Sequence, residues 1–321
     1  MHKTPGGKIL PGVNPRMNES KQPLVFDHQE AAFRKLCLLT ETCSTLDRGY
    51  LPLKPRTNTL LVGPSGSGKT HLVSAVAKVT GAQFLSLSIS EWVLLGCSTR
   101  GAVPTWPAIV DFLYKNEQSK GVLIFLDELD KISGKSTWEA YQRTEIFKLL
   151  DLDIPTGMCD RNEEKISNYE YEKAQKVLTT KTMIVGAGAF QNLWDHPVKS
   201  CGGFGAHEIG EVSLSPSKLT ETIPRELVNR FRSEILILPE MKQSDYEEIL
   251  LKSAESMPEY LQRTYMELGL ERIQRACEAK QGCRFVEELL LDSLIAEKEA
   301  MREMIKKINL KLSLKTSGEE F

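Results

Sequence analysis

The residues with the clearest chemistry lie in one short segment, residues 63–70, which reads Gly-Pro-Ser-Gly-Ser-Gly-Lys-Thr. An apolar run precedes it at residues 60–62 and a helical stretch follows at 71–78. The glycines would allow positive φ angles, so that backbone N–H groups turn toward a phosphate. A lysine here reaches the β and γ oxygens, a threonine ligates Mg²⁺, and the helix dipole adds positive charge. The pattern predicts ATP and Mg²⁺ binding by Gly63, Pro64, Ser65, Gly66, Ser67, Gly68, Lys69 and Thr70.

Two carboxylates, Asp127 and Glu128, follow a second apolar run at residues 121–126. Open α/β sheets bind their ligands at the carboxyl ends of the strands. Asp127 could therefore hold Mg²⁺ through water, and Glu128 could polarise a water for attack on the γ-phosphate. An acidic pair after a strand is common by itself, but together with the phosphate-binding loop it predicts ATP hydrolysis.

These groups need strands and helices that bring them together. Apolar runs at residues 83–89, 121–126, 182–185 and 235–238 predict strands, and the helical segments between them predict an α/β fold with a parallel sheet covered on both faces. From residue 244 onward the periodicity is helical. The predicted organisation is a tail at 1–23, a nucleotide-binding α/β domain at 24–239, a smaller all-helical lid domain at 240–312 and a tail at 313–321. The polar region 151–181 is predicted to be an insertion or extended helix without a catalytic role.

The composition restricts the partners of the chain. Its 321 residues carry a formal charge of −2, which gives no strong overall attraction to nucleic acid or membrane. Seven cysteines without a Cys-x-x-Cys pair favour a reduced, cytoplasmic setting. No apolar run reaches the roughly 18 residues of a spanning helix. The first 21 residues are weakly basic and predict a flexible tail, with a nucleic-acid-binding arm as the alternative.

Several motifs between residues 24 and 295 resemble those of the AAA+ ATPases, and within them the ClpX and HslU unfoldase branch. Residues 127–132 read Asp-Glu-Leu-Asp-Lys-Ile, close to the Asp-Glu-Ile-Asp-Lys-Ile of that branch. Residues 186–190 resemble the end of its fourth strand, residues 222–231 its arginine-finger box, and residues 282–284 its sensor 2 motif. The resemblance implies a P-loop AAA+ domain followed by a helical lid, assembled as a homo-oligomer, with a hexamer expected.

The resemblance also implies roles for further residues. Arg230 would act in the site of a neighbouring subunit, and Arg284, at the start of a lid helix, would contact the γ-phosphate in its own chain. The alternative for both is a surface cation. Val25 and Phe26 would flank adenine, and the alternative is that they are ordinary core residues. With Glu128, the two arginines form the predicted catalytic set.

Three segments differ from the unfoldase pattern. Residues 96–99 read Gly-Cys-Ser-Thr, so that Cys97 replaces the aromatic residue of the pore loop. Trp92 is either a substitute that grips a polypeptide or a core residue. The polar sensor 1 position falls on or near Ala187, and residues 201–206 only partly resemble the loop that docks on a peptidase.

Three functions remain open at the level of sequence. The first is a chaperone-like ATPase that remodels a macromolecule, by analogy a protein substrate or adaptor. The second is a nucleic-acid-linked AAA+ ATPase in which Ser98, Thr99 and Arg100 face a phosphate backbone. The third is a P-loop kinase for a small molecule. The predicted catalytic set argues against the kinase, because a kinase must prevent water from attacking.

Overall fold

The computed structural model describes residues 23–45, 55–95, 104–133, 136–156, 167–191 and 219–316. Five strands form one parallel sheet in the order β2-β3-β4-β1-β5. The strands are β1 (Thr59–Val62), β2 (Gln83–Ser88), β3 (Val122–Asp127), β4 (Thr182–Gly188) and β5 (Ile235–Ile237). The helices are α1 (Asp27–Thr45), α2 (Lys69–Thr80), α3 (Thr105–Lys115), α4 (Thr137–Leu150), α5 (Asn168–Lys181), α6 (Arg225–Val228), α7 (Gln243–Glu255), α8 (Glu259–Glu278) and α9 (Arg284–Thr316).

Helices cover both faces of the sheet, which explains why its inner strands read as continuous apolar runs. Side chains of α1 and α2 pack on one face, and those of α3, α4 and α5 pack on the other. Every residue of β1 and β4 is buried, whereas the edge strand β2 is partly exposed. The prediction of an α/β fold with a parallel sheet covered on both faces is confirmed.

The parallel register aligns the chemistry at one edge of the sheet. Val62 at the end of β1 pairs with Gly188 at the end of β4, and Ser88 at the end of β2 pairs with Asp127 at the end of β3. The phosphate-binding loop leaves β1 at this edge, and the acidic pair leaves β3 there. The fold thus brings together two segments that lie more than fifty residues apart in sequence.

The C-terminal helices pack around a core of their own. This core includes the buried residues Tyr246 of α7, Tyr265 of α8 and Phe285 of α9, as expected for the predicted helical lid. Helix α9 continues through Thr316, beyond residue 312 where the predicted lid domain ends.

Residues 151–181 match only in part the predicted insertion or extended helix. A helix is present, α5, but Ala174 and Leu178 are fully buried against the main core, so this helix is an integral part of the domain and not a peripheral insertion. None of the described helices combines the length and apolar character needed to cross a membrane. The predicted N-terminal tail, the loop at 96–100 and the segment at 201–206 lie outside the described residues.

Candidate nucleotide-binding site

The loop between β1 and α2 has the backbone that phosphate binding requires. Gly66 and Gly68 have φ angles of 81° and 78°, a region that residues with a Cβ rarely adopt. A Cβ at Gly66 would lie 2.6 Å from the carbonyl oxygen of Gln281, and one at Gly68 would overlap the Gln29 side chain. Helix α2 begins at Lys69, so the positive end of its dipole lies at the loop.

A cavity of about 490 Å³ lies over this loop, between the sheet and the lid. Most of the residues predicted for nucleotide, metal and catalysis meet there: Ser65, Gly66, Gly68, Lys69, Thr70, Asp127, Glu128 and Arg284. The cavity is also lined by residues for which the sequence predicted no role: His71, Asp130, Lys131, Gly188, Ala189, Gln191, Cys283 and Glu287. Asp130 and Lys131 belong to the Asp-Glu-Leu-Asp-Lys-Ile motif at residues 127–132, and this motif was the sequence signal that could have placed them in the site.

The side chain of Lys69 is hydrogen-bonded to the first residues of the loop. Its Nζ donates hydrogen bonds to the carbonyl oxygens of Gly63 at 2.8 Å and Pro64 at 2.9 Å. Burial lowers the pKa of Lys69, while Asp127 and Asp130 act in the opposite direction. A cation with few water contacts in this position suits an anionic phosphate, because its charge is weakly screened.

Thr70 and Asp127 offer adjacent oxygen ligands. Thr70 Oγ1 donates a hydrogen bond to Asp127 Oδ2 at 2.9 Å, and Asp127 Oδ1 accepts one from the Glu128 N–H at 2.8 Å. A hydroxyl and a carboxylate at the mouth of a phosphate-binding loop are the donors that Mg²⁺ prefers. The residues present therefore fit the predicted ion.

Glu128 has a strained backbone and two hydroxyl partners. Its φ angle is 58°, in the left-handed region that costs a non-glycine residue about 1–2 kcal/mol. Its carboxylate accepts hydrogen bonds from Ser90 and, at 3.1 Å, from Ser88. These bonds, led by that from Ser90, lower the pKa of Glu128. The ionised form is the one that can polarise water.

The lid is hydrogen-bonded directly to the phosphate-binding loop. The Cys283 N–H donates to the carbonyl oxygen of Gly66 at 2.7 Å, and the Gly282 N–H donates to the Tyr246 hydroxyl at 2.9 Å. Helix α9 begins at Arg284, the residue after Cys283, and the charge of Arg284 adds a smaller contribution to the burial that lowers the pKa of Lys69. A predicted γ-phosphate ligand thus enters the cavity from the lid.

Val25 and Phe26 lie close to this loop but line neither the 490 Å³ cavity nor a neighbouring one of about 260 Å³. Phe26 is buried, and its ring stacks with His28 at a centroid distance of 6.1 Å. Val25 packs against the core beneath α1 and α2. Contact between these two residues and adenine stays a prediction.

Arg230 does not line this cavity and lies beside Asp151, so its action on a neighbouring subunit stays a prediction. Its Nε and Nη2 donate to the two carboxylate oxygens of Asp151 at 2.9 and 3.1 Å. The guanidinium group also stacks over the Phe147 ring, 4.2 Å from its centroid. No sequence motif pointed to Asp151, which is 79 residues from Arg230 in the chain.

Two residues at the positions that differ from the unfoldase pattern are core residues. Ala187 is fully buried within β4. Trp92 is 3% exposed, packs edge-to-face against Trp106 and donates its indole N–H to Glu145 at 2.9 Å. The alternative that Trp92 grips a polypeptide is therefore wrong.

Comparison with known proteins shows which ATPases this domain is similar to. Residues 59–152 match the family model described as "ATPase family associated with various cellular activities (AAA)". Proteasome-activating nucleotidase 2 of Halobacterium salinarum is 36% identical over 122 residues, which are 36% of this chain and 27% of the relative. A 26S proteasome regulatory subunit 6B homolog of Encephalitozoon cuniculi is 32% identical over 140 residues, 40% of this chain and 34% of the relative. An ATP-dependent zinc metalloprotease FtsH of Pirellula staleyi is 40% identical over 77 residues, 24% of this chain and 10% of the relative.

Residues 59–152 therefore resemble the AAA ATPases, and a helical region follows the sheet. This confirms the predicted fold class and nucleotide-binding character. The matched segments span about a third or less of these relatives. The resemblance to the ClpX and HslU branch within the AAA+ ATPases has no separate support from these matches.

Proposed function

We propose that this chain hydrolyses ATP with Mg²⁺ in a homo-oligomer and uses the energy to remodel a protein. The observation that carries the proposal is the convergence of the lysine, the threonine–aspartate pair, the glutamate and the lid arginine on one cavity. Bound Mg²⁺ would neutralise charge on the phosphate oxygens. Lys69 binds the β and γ oxygens, Thr70 and Asp127 hold the metal ion, and Arg284 links the γ-phosphate to the lid.

Glu128 takes the role of the residue that activates water. Glu128 lines the cavity together with the lid arginine, and the hydrogen bonds from Ser90 and Ser88 lower the pKa of its carboxyl group. Lys69→Ala should abolish nucleotide binding, whereas Glu128→Gln should keep binding and lose hydrolysis. Each variant is measured by calorimetric titration with ATP and by phosphate release. Wild-type turnover in Glu128→Gln would contradict this role.

Arg230 is consistent with the oligomer, because it pairs with Asp151 and does not line the cavity of its own chain. The proposed assembly, a hexamer, would bring Arg230 of one copy to the γ-phosphate bound by the next. A mixture of Arg230→Ala and Lys69→Ala chains should then regain hydrolysis, since an intact site forms where a Lys69→Ala chain supplies the arginine. The matched control replaces the second partner by the double variant, which lacks both groups and should restore nothing. Full activity of a monomer would contradict the assembly.

A protein substrate follows from the named relatives, which include a proteasome-activating nucleotidase and an ATP-dependent metalloprotease. The proposed location is the cytoplasm. Phosphate release should rise when unfolded polypeptide is added to the purified protein. Single-stranded DNA, duplex DNA and RNA are tested in parallel. Stimulation by a nucleic acid alone would replace this substrate with the second function inferred from the sequence.

A further inference from the structure

A stripe of exposed apolar side chains runs along the last helix. Leu291, Leu294, Met301 and Ile305 are 60%, 43%, 63% and 50% exposed. We call these four residues the α9 stripe. Scattered exposed apolar residues are normal on a protein surface, but a row of them along one side of a helix indicates an interaction surface.

The spacing of the stripe is that of a two-stranded coiled coil. Its members and Lys298 follow one another at alternating intervals of three and four residues, and the sequence continues this spacing at Ile308 and Leu312. At about 100° per residue, this row lies on the side of the helix opposite the buried residues Leu289 and Ser293. The lid core therefore occupies one side of α9 and leaves the other exposed.

Helix α9 also extends past its neighbour in the lid. Helix α8 runs antiparallel to α9, because Arg272 pairs with Asp292 while Thr264 bonds to Glu297. Helix α8 begins only five residues before Thr264, at Glu259. The part of α9 beyond residue 302 thus projects from α8 by roughly 20 Å at 1.5 Å per residue.

The distribution of charge along α9 indicates which partner packs on the α9 stripe and in which direction that partner runs. Residues 284–303 carry six acidic and three basic side chains, whereas residues 304–316 carry four lysines and no acid. One of the acids, Asp292, is already paired with Arg272. Two parallel copies would set the lysines side by side, whereas two antiparallel copies set them beside the acidic part.

We propose that α9 pairs with α9 of a second copy of this chain as an antiparallel coiled coil. The pairing is a two-fold contact distinct from the contact that Arg230 would make, and it does not depend on nucleotide. It goes beyond the proposed function and would stand if that function failed.

The first test measures the molar mass of the nucleotide-free protein by light scattering after size-exclusion chromatography. The wild type should have twice the 36.1 kDa of one chain. The double variant Met301→Glu/Ile305→Glu places two charges in the stripe and should return the protein to the mass of one chain. The matched control, Ala300→Glu/Met304→Glu, makes the same charge change at exposed positions of α9 outside the stripe and should keep the doubled mass.

The second test reads the direction of pairing. A photo-crosslinking residue at position 294 should react with the partner near residues 308–315, as mapped by mass spectrometry of the digested product. Crosslinks to position 294 of the partner would show a parallel arrangement and overturn the proposal. A wild type with the mass of one chain, or an unchanged mass in the stripe variant, would overturn it as well. Binding of anionic vesicles that depends on the stripe, without the doubled mass, would assign the stripe to a membrane surface instead.

Discussion

The contact between the lid and the phosphate-binding loop leads to a quantitative prediction for Gly282→Ala. Gly282 has a φ angle of 65°, and a Cβ there would lie 2.6 Å from the carbonyl carbon and 2.8 Å from the Cα of Gly66. These are backbone atoms, so the alanine variant cannot relieve the overlap by turning a side chain. The lid must move away from the loop.

The cost has three parts. Alanine in the left-handed region costs about 1 kcal/mol. Loss of the 2.7 Å hydrogen bond from the Cys283 N–H to the Gly66 carbonyl costs about 1 kcal/mol more. The overlap adds about 1 kcal/mol, the lower end of the cost of overpacking, because the lid can move away. A total of about 3 kcal/mol lowers the docking equilibrium of the lid on the order of 100-fold, at 1.4 kcal/mol per factor of ten.

The loss of lid docking should be measurable as a loss of nucleotide affinity. The proposed phosphate ligands Lys69 and Arg284 lie on opposite sides of the contact between the phosphate-binding loop and the lid. Gly282→Ala should weaken ATP binding by up to about 100-fold, measured by calorimetry. Hydrogen exchange of the Cys283 amide should quicken in parallel. The matched control is Gly81→Ala, where φ is 72° but no atom lies within 4 Å of the new Cβ. That variant should lose about 1 kcal/mol of unfolding free energy and keep its affinity. Equal ATP affinities in the two variants would refute the reasoning.

Three further predictions concern residues around the site. Asp151→Asn removes the negative charge that pairs with the Arg230 guanidinium. Because the pair is partly exposed, the unfolding free energy should change by less than about 1 kcal/mol, while phosphate release should reach half-maximum at lower protein concentration. Burial lowers the pKa of His28 from its ordinary 6.5, so its contribution to stability is present above that pH and is lost as pH falls through the folded pKa. Urea denaturation of His28→Asn should therefore show a smaller loss of stability on acidification than the wild type, and an equal loss would contradict this. Ser90→Ala removes the main cause of the lowered pKa of Glu128, so the acidic limb of the ATPase pH profile should move to higher pH.

Local sequence patterns were sufficient for the sheet and for the phosphate-binding loop. The strands were predictable because burial on both faces makes them apolar throughout, as in β3 and β4. The glycines of the loop were predictable because Gly66 and Gly68 must adopt positive φ whatever surrounds them. The start of α9 at Arg284 was implied by the resemblance of its motif.

The partners of the catalytic groups were not predictable in the same way. Asp151 and Ser90 are 79 and 38 residues from the groups they bind, and neither belongs to a periodic pattern that points to its partner. Ser88 offered a weak signal, because a strand ending beside the acidic pair places its last residue next to Asp127. Such contacts depend on the tertiary arrangement, and a single sequence specifies that arrangement only through the whole fold.

Gly66 shows how one residue can satisfy a local and a tertiary requirement together. Its positive φ shapes the phosphate-binding loop, and its lack of a side chain lets the lid approach at Gln281 and Gly282. Its carbonyl oxygen then accepts the hydrogen bond from Cys283, one residue before the lid arginine. A rotation of the lid must therefore either move the loop that holds the phosphate or break this bond. Because coupling between two sites is reciprocal, a phosphate that repositions the loop must also change the free energy of lid docking.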